Sequence, residues 1–233
     1  MTRLLARSTI ALLLLWMAAC GAAGPSKTVT GNIPLDESKA VSVELNMAAG
    51  ELRVSGGATG LVDSSFTFNV PEWEPKIEYT HNGDRGVFRV RQGSGSTSFR
   101  NSKNEWDLKL NDRIPVSLNA SVGAGQGTMT LGSLMLEHVQ VDAGAGEFTL
   151  DLRGTPTRSY DVRVNASVGQ TNIHLPKAAA IVATASAAVG GVNVSGLQKQ
   201  GDNTWINPGH EQDPVTIHVE VKGGVGQIEI SAE

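Results

Sequence analysis

A glycine at a fixed distance from an alternating apolar stretch recurs along the chain, and this spacing constrains the fold more than any other feature. Apolar and polar residues alternate on both sides of the glycine, as they do in half-buried β-strands. In five copies the glycine follows the first apolar residue by seven positions: Val43 to Gly50, Val139 to Gly146, Val162 to Gly169, Ala183 to Gly190 and Val219 to Gly226. We place a sixth copy at Val116 to Gly123, with a four-residue insertion before Thr128.

The length of this repeat predicts how the copies pack. From Gly123 to Gly190 each copy occupies 21 to 23 residues. A unit this short buries little apolar surface alone, so neighbouring units must stack to complete a core, as they do in solenoids. The sequence therefore predicts an all-β fold in which residues 116–233 form a β-solenoid-like stack of short-strand repeats. A compact β-sandwich built from the same units is the alternative.

The region 28–115 is less regular and is predicted to form an N-terminal β-cap. It holds one copy of the unit and several longer strand candidates, two of which are joined by a hairpin signal at 81–84. The ends of a solenoid need covering, which gives this region its expected role. At the opposite end, the charges of the C-terminal strand, including Glu220 and Lys222, are expected to protect an edge of the sheet.

The glycine-rich segments 123–127 and 144–146 resemble phosphate-binding loops only superficially. A dinucleotide-binding loop needs a helix directly after its glycines, whereas alternating strand residues follow here. We therefore interpret the glycines as strand corners at which the backbone takes a positive φ. One polar residue per unit is expected to form a column across the stack: Asn46, Asn119, Asp142, Asn165, Ser186 and Lys222.

No motif in the sequence indicates catalysis. The five histidines are dispersed, and neither a metal-ligand motif nor a nucleophile motif is present. The repeat that binds calcium between the coils of a solenoid is also missing. We therefore predict that the protein is not an enzyme and uses no cofactor or metal. Trp205, in the polar insertion 198–214, is the best candidate for contact with a partner.

The N-terminus is typical of an exported bacterial lipoprotein. Arg3 and Arg7 precede a short apolar run, and the small residues before Cys20 resemble a lipobox, so residues 1–19 are predicted to be a signal peptide. Cys20 is the only cysteine, and its lipidation by palmitate or similar chains would anchor the protein through a flexible tether at 20–27. We expect the protein to face away from the cytoplasm in the bacterial cell envelope, with the outer membrane favoured where one exists.

Charge narrows the range of partners. Removal of residues 1–19 leaves 17 basic against 23 acidic residues, a net charge of −6, so a basic footprint for nucleic acid is excluded. The expected partners are the membrane, through the lipid anchor, and an unidentified envelope protein or cell-wall glycan. The first functional hypothesis is a non-catalytic surface for protein interaction, in envelope stress sensing or organisation. The alternative is a β-solenoid that binds or processes carbohydrate.

Two segments carry a resemblance to a known family. Residues 106–152 (WDLKLNDRIPVSLNASVGAGQGTMTLGSLMLEHVQVDAGAGEFTLDL) and 223–230 (GGVGQIEI) resemble the bacterial toast-rack domain. That domain is found in lipoproteins and as the soluble part of membrane proteins that respond to cell-wall-active antibiotics. The resemblance covers most of residues 40–231. It implies a β-solenoid-like envelope protein and carries over no catalytic residue.

Overall fold

The computed structural model describes residues 24–95 and 101–233, so the predicted signal peptide and Cys20 lie outside the described residues. Within the described ranges, no helix is both long and apolar enough to span a membrane. Regular structure there consists of a short 3-10 helix at Pro71–Trp73 and thirteen strands: β1 (Lys27–Ile33), β2 (Ala40–Gly56), β3 (Val62–Phe68), β4 (Lys76–Asn82), β5 (Arg85–Arg91), β6 (Asn104–Leu110), β7 (Pro115–Thr130), β8 (Met135–Asp151), β9 (Tyr160–Leu175), β10 (Ala180–Ser195), β11 (Gln198–Lys199), β12 (Thr204–Ile206) and β13 (Thr216–Ala232).

All thirteen strands of the described residues belong to one sheet. Its centre is a stack of six long strands that pair in parallel, in the order β2, β7, β8, β9, β13 and β10. This arrangement confirms the predicted all-β, solenoid-like fold. The alternative, a β-sandwich, would place two separate sheets face to face.

Each of the six long strands bends at one glycine with a positive φ: Gly50 (145°), Gly125 (128°), Gly146 (134°), Gly169 (133°), Gly226 (144°) and Gly190 (124°). We call the residues before this glycine the first arm of the strand and those after it the second arm. In β8, Val139 and Val141 are buried before the glycine, and Phe148 and Leu150 after it. The buried positions therefore change from odd to even numbers at the corner, which directs both arms towards one apolar core.

Close stacking of the corners explains why each of them is a glycine. A Cβ atom on Gly146 would collide with the carbonyl oxygen of Gly125, and one on Gly169 would collide with that of Gly146. A φ near 130° is also a conformation that residues with a side chain rarely adopt. The interpretation of the glycines as strand corners is confirmed.

The position predicted for the sixth copy of the repeat, in β7, was wrong by two residues. Leu118, and not Val116, pairs with Val139 of β8. The corner of β7 is therefore Gly125 instead of Gly123, and the strand continues from this corner without an insertion. Alternation in a strand has a period of two, so a shift by two residues preserves the apolar pattern and escapes detection from sequence.

The polar column changes with this register. Ser121 of β7, and not Asn119, lies between Asn46 of β2 and Asp142 of β8. The other predicted members of the column are in register as expected. Asn165 donates a hydrogen bond from Nδ2 to Oδ1 of Asp142 at 2.7 Å, so part of the column is directly linked.

The order of strands in the stack departs from their order in the chain. The C-terminal strand β13 lies between β9 and β10, with Val219 paired to Val162 on one side and to Ala183 on the other. The expectation that Glu220 and Lys222 protect an edge is therefore wrong, because β13 is an interior strand. The terminal long strand of the stack is β10.

The opposite end of the stack is covered by the N-terminal strands, as predicted for the cap. β5 pairs with the first arm of β2, and β6 pairs with its second arm. β4 and β5 form the hairpin predicted at 81–84, while β3 and β1 extend the sheet beyond β6. The division of the chain at residue 116 stays a prediction.

Two side chains cover the corner of β2, between the end of β5 and the start of β6. Gln92 accepts hydrogen bonds at Oε1 from the backbone N–H groups of Ala48 and Ala49, at 2.9 and 3.1 Å. The buried Asn104 donates from Nδ2 to the carbonyl oxygen of Ala49 at 2.6 Å and accepts at Oδ1 from Nε1 of Trp106 at 3.0 Å. The cap thus covers the edge of β2 along both arms and at the corner.

Candidate interaction surface

The outer side of the second arms forms a wide polar surface, which we call the second-arm face. It includes the outward residues of β6, β3 and β1, which continue the sheet beside the second arm of β2. One row of this face crosses nine strands in register: Thr30, Ser65, Asp107, Arg53, Thr128, Thr149, Asn172, Glu229 and Asn193. All nine side chains are exposed or half-buried. Adjacent members of such a row lie one strand spacing apart, about 4.8 Å.

A shallow groove of about 490 Å³ lies on this face across β9, β13 and β10. Its polar lining residues are Gln170, Asn172, His174, Asn193, Ser195, Glu229 and Ser231. The amide and hydroxyl groups of the groove can both donate and accept hydrogen bonds, whereas the carboxylate of Glu229 accepts them. The groove therefore suits a polar ligand or a polar protein surface.

His174 is the centre of a small network at one end of the groove. Its Nδ1 lies 2.9 Å from Oγ of Ser231 and 3.2 Å from Oε1 of Glu233, and the Ser231 hydroxyl donates to Glu233 at 2.8 Å. The hydrogen bond from Ser231, supported by His174, lowers the pKa of Glu233. A Ser-His-acid triad needs the serine and the acid on different ring nitrogens. Both meet Nδ1 here, so this network is not arranged as a triad.

An arginine fixes the rim beside this network. Arg153 donates to both carboxylate oxygens of Asp151, from Nε at 2.9 Å and from Nη2 at 2.6 Å. Its Nη1 donates to Glu233 at 3.3 Å. The hydrogen bond from Arg153 lowers the pKa of Asp151, so the rim stays charged in mildly acidic conditions. Bidentate pairing of this kind restricts the side chains to one geometry.

The outer side of the first arms has a different chemistry. Its charged residues are largely paired with one another, as in the ion pairs Arg89 to Glu44 at 2.8 Å and Arg163 to Glu220 at 3.3 Å. Glu137 accepts from Arg85 and from Arg158, both at 3.0 Å. The contacts of Arg85 and Arg89 link the cap to the stack, whereas the groove on the second-arm face presents mainly amides and hydroxyls.

Trp205, the residue that the sequence favoured as a partner contact, lies away from the groove. It belongs to β12, which pairs antiparallel with the first arm of β10. Its ring is half-buried against the core, and Nζ of Lys199 lies 5.8 Å from the ring centroid. A role of Trp205 in partner contact stays a prediction, and so does lipidation of Cys20.

Within residues 24–95 and 101–233, no group of three or more His, Cys, Asp or Glu side chains is arranged to hold a metal ion. The second-arm face was not identified from the sequence, because its rows depend on the pairing of strands that are distant in the chain. The signal that could have indicated it is the alternation of polar with apolar residues after the corner glycines, as in Gln170 and Asn172 after Gly169.

The chain is similar to a known protein family and to solved structures. A family model described as the N-terminal domain of toast_rack, DUF2154, matches residues 22–174. A search of curated proteins gives no match. A solved structure from Clostridium sporogenes, described as a candidate cell adhesion protein, is 26% identical, with a TM-score of 0.81 over 90% of this chain and 100% of that chain. A candidate adhesin from Bacteroides fragilis is more distant, at 14% identity and a TM-score of 0.34 over 88% of this chain and 97% of that chain.

Proposed function

This chain belongs to the family of the toast_rack N-terminal domain, and from that premise we propose that it is a non-catalytic, lipid-anchored protein of the cell envelope. In this proposal the second-arm face binds an envelope protein, and the interaction serves envelope stress sensing or organisation. The observation that carries the proposal is the row of polar side chains held in register across nine strands. A ladder of paired strands fixes these positions before binding, which reduces the entropy lost on association.

The neighbour from Clostridium sporogenes supports a binding role. It aligns over its whole length and is described as a candidate cell adhesion protein. Adhesion requires an exposed, ordered surface and no reaction centre. The family and this neighbour thus favour a non-enzymatic role for the chain.

The proposal is tested by crosslinking in cells, followed by capture of the protein. Asn172→Arg places a large charged side chain in the groove, whereas Asn165→Arg places the same side chain on the outer face of the other arm of β9. Each asparagine is engaged in one side-chain hydrogen bond, so each variant loses one such bond. We expect Asn172→Arg to lose the captured partner and Asn165→Arg to retain it. Equal capture by both variants would contradict the assignment of the second-arm face.

Anchoring through Cys20 is tested separately. Two or more acyl chains hold a protein stably on a membrane, whereas one chain gives only marginal residence. We expect Cys20→Ala to move the protein from the membrane fraction to the soluble fraction while its folded β-structure is retained. Unchanged membrane retention of the variant would argue against lipid anchoring.

The groove also favours a second candidate, binding of cell-wall glycan. Its amide and hydroxyl groups match the hydroxyl and acetamido groups of such sugars. Pull-down with purified peptidoglycan distinguishes the two functions, because a glycan ligand retains the wild-type chain without any other protein. Retention that is lost in Asn172→Arg and kept in Asn165→Arg would support this second candidate, and no retention would leave the protein partner favoured.

A further inference from the structure

The outer edge of β10 is only partly covered. The short strand β12 pairs with Val182, Ala183 and Thr184, and the backbone N–H of Ala185 donates to the carbonyl oxygen of Asn203 at 3.1 Å. From residue 186 to residue 195, no strand of the described residues pairs with this side of β10. The ten free residues contain the corner glycine and the entire second arm.

This free edge lacks the features that usually prevent strands from pairing between molecules. Natural edge strands are protected by charge, proline or bulges. The sequence SAAVGGVNVS at 186–195 contains neither charge nor proline, whereas the edge strand β4 carries Lys76 and Glu78. The cap covers the opposite end of the stack along both arms and at the corner. One end of the stack is therefore covered by the cap, whereas the other end exposes a free strand edge.

Apolar side chains at this edge are also incompletely buried. Ala187, Val192 and Val194 face the core but are only partly buried. Beside the corner, Val189 is 62% exposed and continues a row with Val225 and Val168, which are 51% and 52% exposed. Exposed large apolar residues in contiguous rows are typical of interaction sites. An additional strand along β10 would bury Ala187, Val192 and Val194 further and would satisfy the free backbone groups of the edge.

We propose that the free edge of β10 pairs antiparallel with the same edge of a second copy, which gives a two-fold symmetric dimer. The register is set by the direction of the side chains, because opposite residues must point to the same side of a sheet. Ala187 opposite Val194 of the second copy joins two core-facing residues, and Ser186 opposite Ser195 joins two outward residues. A shift by one residue would place Ala187 opposite the outward Asn193.

The same register favours a second copy over an unrelated strand. It uses all ten free residues of both copies, from 186 to 195, and it places Gly190 opposite Gly191. The bend of each strand then coincides with the bend of its partner, so that the two bent sheets can continue into each other. Both positions at this crossing lack a side chain, which the close stacking of corners requires elsewhere in the fold. Two-fold dimers with self-complementary interfaces are also the commonest oligomers.

The test uses a chain that begins at Gly21, since every strand of the described residues lies between Lys27 and Ala232. Sedimentation velocity over a range of concentrations should show a reversible dimer for the wild type. Asn193→Lys introduces a charge on the free edge, and Asn172→Lys introduces it on an interior strand of the same face. We expect at least about tenfold weaker dimerisation for Asn193→Lys, corresponding to about 1.4 kcal/mol, and no change for Asn172→Lys. A monomeric wild type, or equal dimerisation of both variants, would overturn the proposal.

The register is tested by disulfide trapping. Ser186→Cys and Ser195→Cys, combined in one chain, should form an intermolecular disulfide under mild oxidation, because each cysteine lies opposite the other in the second copy. Ser121→Cys with Ser195→Cys is the matched control, since Ser121 lies on the interior strand β7. Equal crosslinking of the two pairs, or none in the first pair, would contradict the proposed dimer.

Discussion

At Gly146 a side chain is excluded both by the backbone torsion and by the neighbouring strand. Its φ is 134°, and a Cβ atom would meet the carbonyl oxygen of Gly125. Gly57 also has a positive φ, of 90°, but has no heavy atom within 4 Å of the position that a Cβ would take. A side chain at Gly57 would therefore cause only torsional strain, whereas a side chain at Gly146 would cause torsional strain and a steric collision.

We predict that Gly146→Ala lowers the free energy of unfolding by about 3 kcal/mol, because torsional strain and overpacking each cost about 1–3 kcal/mol. Gly57→Ala should cost about 1 kcal/mol, because only the torsional strain applies. Urea denaturation of both variants measures the difference. Equal losses would show that corner stacking does not determine the choice of glycine.

Most corners could be identified from sequence because a single residue type fits them. The spacing from Val139 to Gly146 and from Val162 to Gly169 is read directly from the chain. In β7 two glycines, at 123 and 125, both satisfy the alternating pattern, and only the pairing of Leu118 with Val139 decides between them. Pairing is a property of two strands, so one strand's sequence could not provide it.

The contact between the cap and the corner of β2 depends on Asn104. This buried side chain links the corner of β2 to β6 through Ala49, Gln92 and Trp106. Asn104→Ala would leave the carbonyl of Ala49 and the indole N–H of Trp106 with a lost partner. An unsatisfied buried polar group costs about 1–3 kcal/mol, so we predict a loss of about 3 kcal/mol in the free energy of unfolding.

The control for this prediction is Asn119→Ala. Asn119 is exposed on the outer side of β7, and exposed substitutions usually change stability by less than about 0.5 kcal/mol. Chemical denaturation of both variants provides the measurement. If Asn104→Ala were as stable as Asn119→Ala, the corner network would be dispensable and the cap would be held by strand pairing alone.

A second link between the cap and the stack responds to pH. Burial acts to raise the pKa of Glu137, but the hydrogen bond and charge of Arg85, with Ser117 and Arg158, outweigh it and hold this pKa below its ordinary value of 4.5. A carboxyl group with a lowered pKa in the folded state stabilises the fold above its unfolded pKa. This contribution is lost as the pH falls below 4.5 and through the folded pKa.

We therefore predict that Glu137→Gln loses about 1 kcal/mol at neutral pH, a value limited by the partial exposure of the pair. Below pH 4.5 the difference from the wild type should shrink. Urea denaturation on both sides of this pH gives the comparison, with Glu229→Gln on the second-arm face as the control. A difference that grows in acid would mean that the charge of Glu137 opposes folding.

The position of β13 in the strand order determines which surfaces the molecule presents. Its insertion between β9 and β10 builds the groove from β9, β13 and β10 and leaves β10 as the terminal strand of the stack. The repeat in the sequence predicts that successive units stack, and this prediction gives the correct fold. The repeat does not predict that β13, which follows the segment 198–214, inserts between β9 and β10. The reason is that β9, β10 and β13 share the same pattern of alternating apolar residues.

We propose that the second-arm face, and not the outer side of the first arms, contacts the partner. The most direct measurement is photocrosslinking in living cells from a photoreactive residue placed at position 172 or, as the control, at position 165. Both positions are outward residues of β9, one on each side of the corner at Gly169. We expect a defined adduct from position 172 and none from position 165. An adduct that forms only from position 165 would assign the interaction to the outer side of the first arms and contradict the proposal.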